Sequence, residues 1–123
     1  MLYATYKLLH FLGIFVMLTA LAAASMHVLR GGARADMPHR KWFAAAHGVA
    51  ALLVLTGGFG MLARIGVMHG ALPGWVYLKL VMWIALGGAL FLAYRGQGWA
   101  KALLIAVPLL ALAGGAVALY KPF

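Results

Sequence analysis

Few side chains in this 123-residue sequence can do chemistry, and nearly all of them are basic: five His and ten Lys or Arg face one acid, Asp36, with no cysteine. Disulfides, thiolate metal centres and cysteine-ligated iron–sulfur clusters are therefore excluded. What remains is the lone-pair chemistry of imidazole and amine nitrogens, and the attraction of anions. Several of these groups lie inside long apolar runs. His10 falls within the run 2–28, Arg64 near the end of the run 43–67, and Lys79 four residues past Trp75 in the run 74–94. Set on a common axis, the three form one basic layer. His27 and His47 form a second layer toward the other end. His10 and His27 are seventeen residues apart on one run, roughly 25 Å of helix rise, so the two layers belong to opposite leaflets.

The first layer has no acid in the apolar runs to neutralise it. A charged lysine in hydrocarbon costs on the order of 3 kcal/mol unless it snorkels, deprotonates or meets an anion. Snorkelling is available, because Lys79 is only about 6 Å of rise from Trp75. The alternative is a ligand. A neutral imidazole and a neutral amine can both bind haem iron axially, and a cation such as Arg64 suits the propionates; a phospholipid headgroup or a quinone are other occupants. In the second layer, His27 and His47 lie on runs joined by a short connection, and two histidines on facing helices can hold a haem between them. Gly48 beside His47 leaves room for a flat ring. Both are also near the headgroups, where a histidine commonly serves as a surface or hydrogen-bonding residue. His39 and His69 read as loop residues. Met17, Met26, Met61 and Met82 are soft donors of the kind copper takes, but methionines in apolar helices usually pack.

The elements that must position these groups are membrane spans. The chain is 67% apolar and 9% charged, far from the average of soluble domains, and four runs, 2–28, 43–67, 74–94 and 99–120, are each long enough to cross a bilayer. The first is too apolar for too long, with one early basic residue, to be a cleaved signal, and is expected to be retained. Arg30, Arg34, Arg40 and Lys41 lie in the first connection, Arg95 and Lys101 flank the third, and the second has no Lys or Arg. The positive-inside rule then puts the first and third connections in the cytoplasm, with both termini and His69 outside. In a soluble protein this basic excess would suggest nucleic acid; here it reads as topology, with no nucleic-acid partner.

Four antiparallel spans with short connections predict an all-α, up-and-down four-helix bundle in one domain. Along the first, His10, Gly13, Met17, Ala20, Ala24 and His27 share one stripe that can face other helices. Gly57, Gly58 and Gly60, Gly87 and Gly88, and Gly114 and Gly115 mark places where backbones can approach. Pro108 should bend the fourth helix. The small-residue faces exceed what one bundle needs, so the chain is expected to assemble with itself or to be a subunit of a larger membrane complex.

These residues carry a resemblance. Lys7-Leu8-Leu9-His10, Lys41-Trp42 with His47 and the run Leu52 to Gly57, Trp75-Val76-Tyr77-Leu78-Lys79-Leu80, and the ending Ala116 to Lys121 resemble the SirB family of small bacterial membrane proteins over nearly the whole chain. More distantly, His10 and the Gly74-Trp75…Lys79 element resemble HemJ, the membrane protoporphyrinogen oxidase family, which implies haem b at His10 and Lys79 in a bacterial inner membrane. The SirB pattern has an aspartate three residues after the helix-two histidine, where this chain has Ala50, and the helix-one exit Ser25-Met26-His27-Val28 is less polar than in HemJ. With no intramembrane carboxylate as a base, removal of hydrogens from a porphyrinogen is disfavoured. Two expectations follow: a haem-b protein of electron transfer or haem handling, or an accessory subunit that binds a partner or anionic lipid.

Overall fold

The computed structural model describes residues 2–68 and 70–121, so His69 lies outside the described residues. The chain forms four long helices, α1 (Tyr3–Leu29), α2 (Arg40–Arg64), α3 (Gly74–Ala93) and α4 (Gln97–Tyr120), with a short 3-10 turn, Arg34–Asp36, in the first connection. No strand occurs among the described residues, and all four helices are long and apolar enough to cross a membrane. The start of α1, the α2–α3 connection and the finish of α4 share what is here called the terminal end of the bundle. The other two connections share the loop end.

Glycine sets where the first two helices stop. After α1, Gly31 takes a left-handed φ of +88°; its amide bonds the Val28 carbonyl at 3.0 Å and the Gly32 amide reaches back to the His27 carbonyl at 3.0 Å. This is a Schellman closure, which satisfies carbonyls the last turn leaves open. Gly66, with φ +81°, closes α2 in the same way, and the residue after it, Val67, packs against Leu62. The second helix thus runs 40–64, three residues earlier at both ends than apolarity alone suggests. Nothing after Pro38 stops a helix, and Gly66 does.

The core draws on every helix: Met17 and Leu21 of α1, Ala50 and Val54 of α2, Leu86, Ala89 and Ala93 of α3, and Val107 of α4. The expected α1 stripe is the centre of it. His10, Gly13, Met17, Ala20 and Ala24 are all buried, and only His27 is partly open. Helices α1 and α2 approach most closely, through glycine. A Cβ on Gly13 would lie 2.6 Å from the Ala50 carbonyl oxygen, and one on Gly57 would lie 2.7 Å from that of Tyr6. Gly87, Gly88 and Gly115, by contrast, face open space, so close packing accounts for only part of the glycine pattern.

The other seams are looser. Trp83 bridges α3 to α2 by donating its indole N–H to the Ala51 carbonyl at 2.9 Å. In α4, Ala100 and Val107 are buried, and nothing beyond Pro108 is. Pro108 has no amide for the Leu104 carbonyl, yet α4 runs on to Tyr120, and beyond the proline Leu110 and Val117 pack against the other helices while only partly buried.

Candidate functional site

The space that α4 leaves is a cavity of about 700 Å³ at the terminal end, walled by all four helices. That is within the size range of sites for small ligands and cofactors. Its walls are apolar apart from His10 and three lysines, Lys7, Lys79 and Lys121. Phe11 and Phe15 of α1 and Leu112 and Leu119 of α4 line it while remaining exposed, so its rim reaches the lipid-facing surface.

His10 is held by α2. Its Nδ1 donates to the Val54 carbonyl oxygen at 2.7 Å, the ring lies beside Gly58, and Gly57 lets α2 approach the His10 backbone and Cβ. A carbonyl oxygen has no proton to give, so Nδ1 carries the hydrogen. Nε2 then faces no partner among the described residues, and in the neutral ring it holds a lone pair. Lys79 is half-buried in the same wall. Lys121 curls back so that its ammonium lies 5.5 Å from the Trp75 ring centre while donating to the Ala118 carbonyl at 2.9 Å. The Lys7 ammonium lies 5.8 Å from the Phe11 ring centre. None of the three lysines meets a carboxylate, because the only ion pair among the described residues is His27 with Asp36, at the loop end. The cavity therefore combines apolar walls with cations, a chemistry that suits an anion with an apolar body.

The expected layers change in membership. His10 and Lys79 do share one site. Arg64 does not join them: it is the exposed last residue of α2, and with Gly57 set against His10 it lies seven residues, about 10 Å, nearer the helix end. Lys7 and Lys121 stand in its place. Sequence reasoning passed over both because they fall at span ends. The signal for Lys7 was its position three residues before His10, on the same helical face.

His27 and His47 are not brought together. His27 Nε2 donates to Asp36 Oδ1 at 2.7 Å and lies 2.8 Å from the Ala33 carbonyl, so the ring pins the first connection. Asp36 also accepts from the Ala33 amide at 2.8 Å. That amide first, and His27 second, hold the Asp36 carboxyl below the usual carboxylate range. His47 sits seven residues into α2, about 10 Å along the helix from Arg40, so the two histidines differ in depth. The reason is register: α2 begins three residues earlier than the hydropathy pattern suggests. His47 lines a second cavity of about 450 Å³ between α2 and α3, with Trp83 standing between it and the first. Trp83 is the structural residue the sequence reading missed. A mid-span indole N–H needs an acceptor, and that need was the available signal.

Compared with models of protein families, with curated proteins and with solved structures, the chain matches none.

Proposed function

We propose that this is an integral membrane protein that binds haem b in the terminal-end cavity and serves electron transfer or haem handling. The observation that carries the reading is the His10 ring, tied through Nδ1 to a backbone carbonyl, with Nε2 left free on the wall of a cavity of about 700 Å³. Iron-ligating histidines are oriented in this way, since the second hydrogen bond sets the tautomer and raises the basicity of the ligating nitrogen. Lys79 is the counterpart ligand, and Lys7 and Lys121 are the cations for the propionates. Bound haem supplies a centre that takes up and returns one electron. The chain's own part is to orient the imidazole, balance the propionate charge and keep water out with apolar walls. With no carboxylate among the cavity residues, dehydrogenation of a porphyrinogen is disfavoured.

The test is an absorbance spectrum of the protein purified after expression with ample haem, oxidised and reduced. A Soret band with reduced-state α and β bands is expected. Colourless protein would overturn the reading. A second reading, that of an accessory subunit binding an anionic lipid or a partner in a homo-oligomer or larger complex, rests on a separate observation: three lysines with no carboxylate partner among the described residues, beside a helix, α4, that fully buries only Ala100 and Val107. Either way the Lys and Arg distribution supports a loop end in the cytoplasm, and with it both termini on the periplasmic side of a bacterial inner membrane. Ala35→Cys should be labelled only from inside and Ala71→Cys only from outside; labelling of the first from outside reverses the orientation.

A further inference from the structure

We infer that the cleft between α2 and α3 at the loop end binds an anionic phospholipid, its phosphate held by Arg34, Arg40 and Lys41 and an acyl chain laid between the two helices. This site is distinct from the haem cavity, and the inference does not depend on that reading.

Charge is the first support. Arg34, Arg40 and Lys41 line the mouth of the cleft, and no carboxylate pairs with any of them, since the one acid of the chain is engaged by His27 and Ala33. Arg40 and Lys41 also occupy the first turn of α2, whose N-cap, His39, makes no side-chain cap. Free amides and the positive end of the helix dipole meet there, so two cations are disfavoured unless an anion is present. Basic pockets between helices near a membrane surface recognise phosphate headgroups for this reason.

The interior of the cleft is the second, independent support. His47 is 5% exposed, and although its ring lies beside the Leu86 carbonyl, Nε2 has no hydrogen-bond partner. A buried imidazole nitrogen without a partner is costly, and a lipid's phosphate or glycerol oxygens supply one. Gly48 on α2 and Gly87 on α3 both line the cleft, and a Cβ on either would meet nothing within 4 Å. The glycines that serve helix packing in this molecule touch their neighbours; these two open a channel. Its rim carries Ile84 and Phe91, 66% and 68% exposed, so an acyl chain passes from the cleft straight into the bilayer.

The full-length protein in detergent is titrated with phosphatidylglycerol and with phosphatidylcholine of the same chains, and lipid adducts are counted by native mass spectrometry. Retention of phosphatidylglycerol in preference to phosphatidylcholine is expected; equal retention overturns the proposal. Each Lys or Arg beside an anionic surface is worth roughly fivefold in affinity, so Arg40→Gln with Lys41→Gln should weaken phosphatidylglycerol about 25-fold and leave phosphatidylcholine unchanged. Gly87→Leu keeps every charge and fills the channel; it should reduce phosphatidylglycerol to the phosphatidylcholine level. If Gly87→Leu binds as the wild type does, the loop's charge attracts lipid without the cleft, and the proposal fails. Millimolar inorganic phosphate should not compete; displacement of the lipid would assign the site to a soluble anion and overturn the lipid. Colourless protein that still selects phosphatidylglycerol refutes the haem reading alone.

Discussion

His10 and His47 occupy comparable places and are treated differently. Each is buried at the wall of a cavity, one on α1 at the terminal end and one on α2 at the loop end. His10 is tethered, with Nδ1 on the Val54 carbonyl, its ring beside Gly58 and its backbone against Gly57. His47 has an unpartnered Nε2 and a neighbouring glycine that touches nothing. A tethered ring presents one nitrogen in one direction, which suits a metal with fixed bonding geometry. A ring with a buried, unpartnered nitrogen suits a ligand whose polar atoms are mobile. Both rings lie beside a carbonyl of a neighbouring helix, so the contrast is in the remaining nitrogen, which is buried without a partner in His47.

The largest effect that could break this comparison is on the haem spectrum. His10→Ala should abolish the Soret band or convert it to that of a loosely held haem, while His47→Ala leaves it nearly unchanged. The reverse result moves the site to the loop end. Lys79→Met should keep the band and raise the reduction potential, because a thioether ligand favours the reduced iron.

Next in size is the contrast between the glycines. Gly57→Ala forces a Cβ against the Tyr6 carbonyl oxygen and the His10 amide at 2.7 and 2.8 Å, backbone atoms that cannot step aside without parting α1 from α2. Overpacking of this kind costs about 1–3 kcal/mol, read as a lower melting temperature in detergent together with a weakened spectrum. Gly87→Ala meets nothing and should melt at or slightly above the wild-type temperature. Equal destabilisation by the two would mean that the second channel is closed in the folded protein.

What was legible in the sequence follows from which forces act along the chain and which act across it. The four spans, the short connections and the buried stripe from His10 to Ala24 are written in apolarity and in the helical period, both local properties. The pairing of His10 with Lys79 was legible because depth can be counted along a span. Arg64 and the supposed match of His27 with His47 were misjudged because depth on α2 depends on where that helix begins. Arg40, Lys41 and Trp42 look like loop residues and are helical, since Pro38 is the last breaker before them. Lys7 and Lys121 lie at span ends, and their long stems return the charge to the cavity. The two cavities lie between helices, and the smaller is lined by glycines that face nothing, relations that no single segment encodes.

A smaller effect tests the partition between the sites. Trp83→Phe keeps an aromatic ring, though a smaller one, and removes the N–H that bonds the Ala51 carbonyl. Hydrogen bonds between helices in membranes are worth about 0.6 kcal/mol on average, so the melting temperature should fall slightly. Because Trp83 lines both cavities, the same variant should loosen the α2–α3 seam, raising amide hydrogen exchange in those helices, and perturb the spectrum less than His10→Ala does.

The smallest effect concerns Asp36, whose carboxylate is fixed by the Ala33 amide and His27 at the loop end. The folded protein holds this carboxyl below the usual carboxylate range, chiefly through that amide and then through His27. A depressed value means that the ionised group favours the folded loop at any pH above its ordinary titration, and that this support disappears as pH falls through the folded value. Asp36→Asn can still accept both hydrogen bonds but carries no charge, so it should show the loss already at neutral pH. The measurement is the rate of thiol labelling at Ala35→Cys by a reagent that reacts independently of pH. The Asn variant should label faster than Asp36 protein at pH 7, and the two rates should converge in strong acid. The gap will be modest, because the pair is exposed and screened by solvent. A gap that persists in acid would show that the side chain's shape, not its charge, holds the loop. In neither case should the haem spectrum change, because His27 spends its Nε2 on this turn and has no part in the terminal-end site.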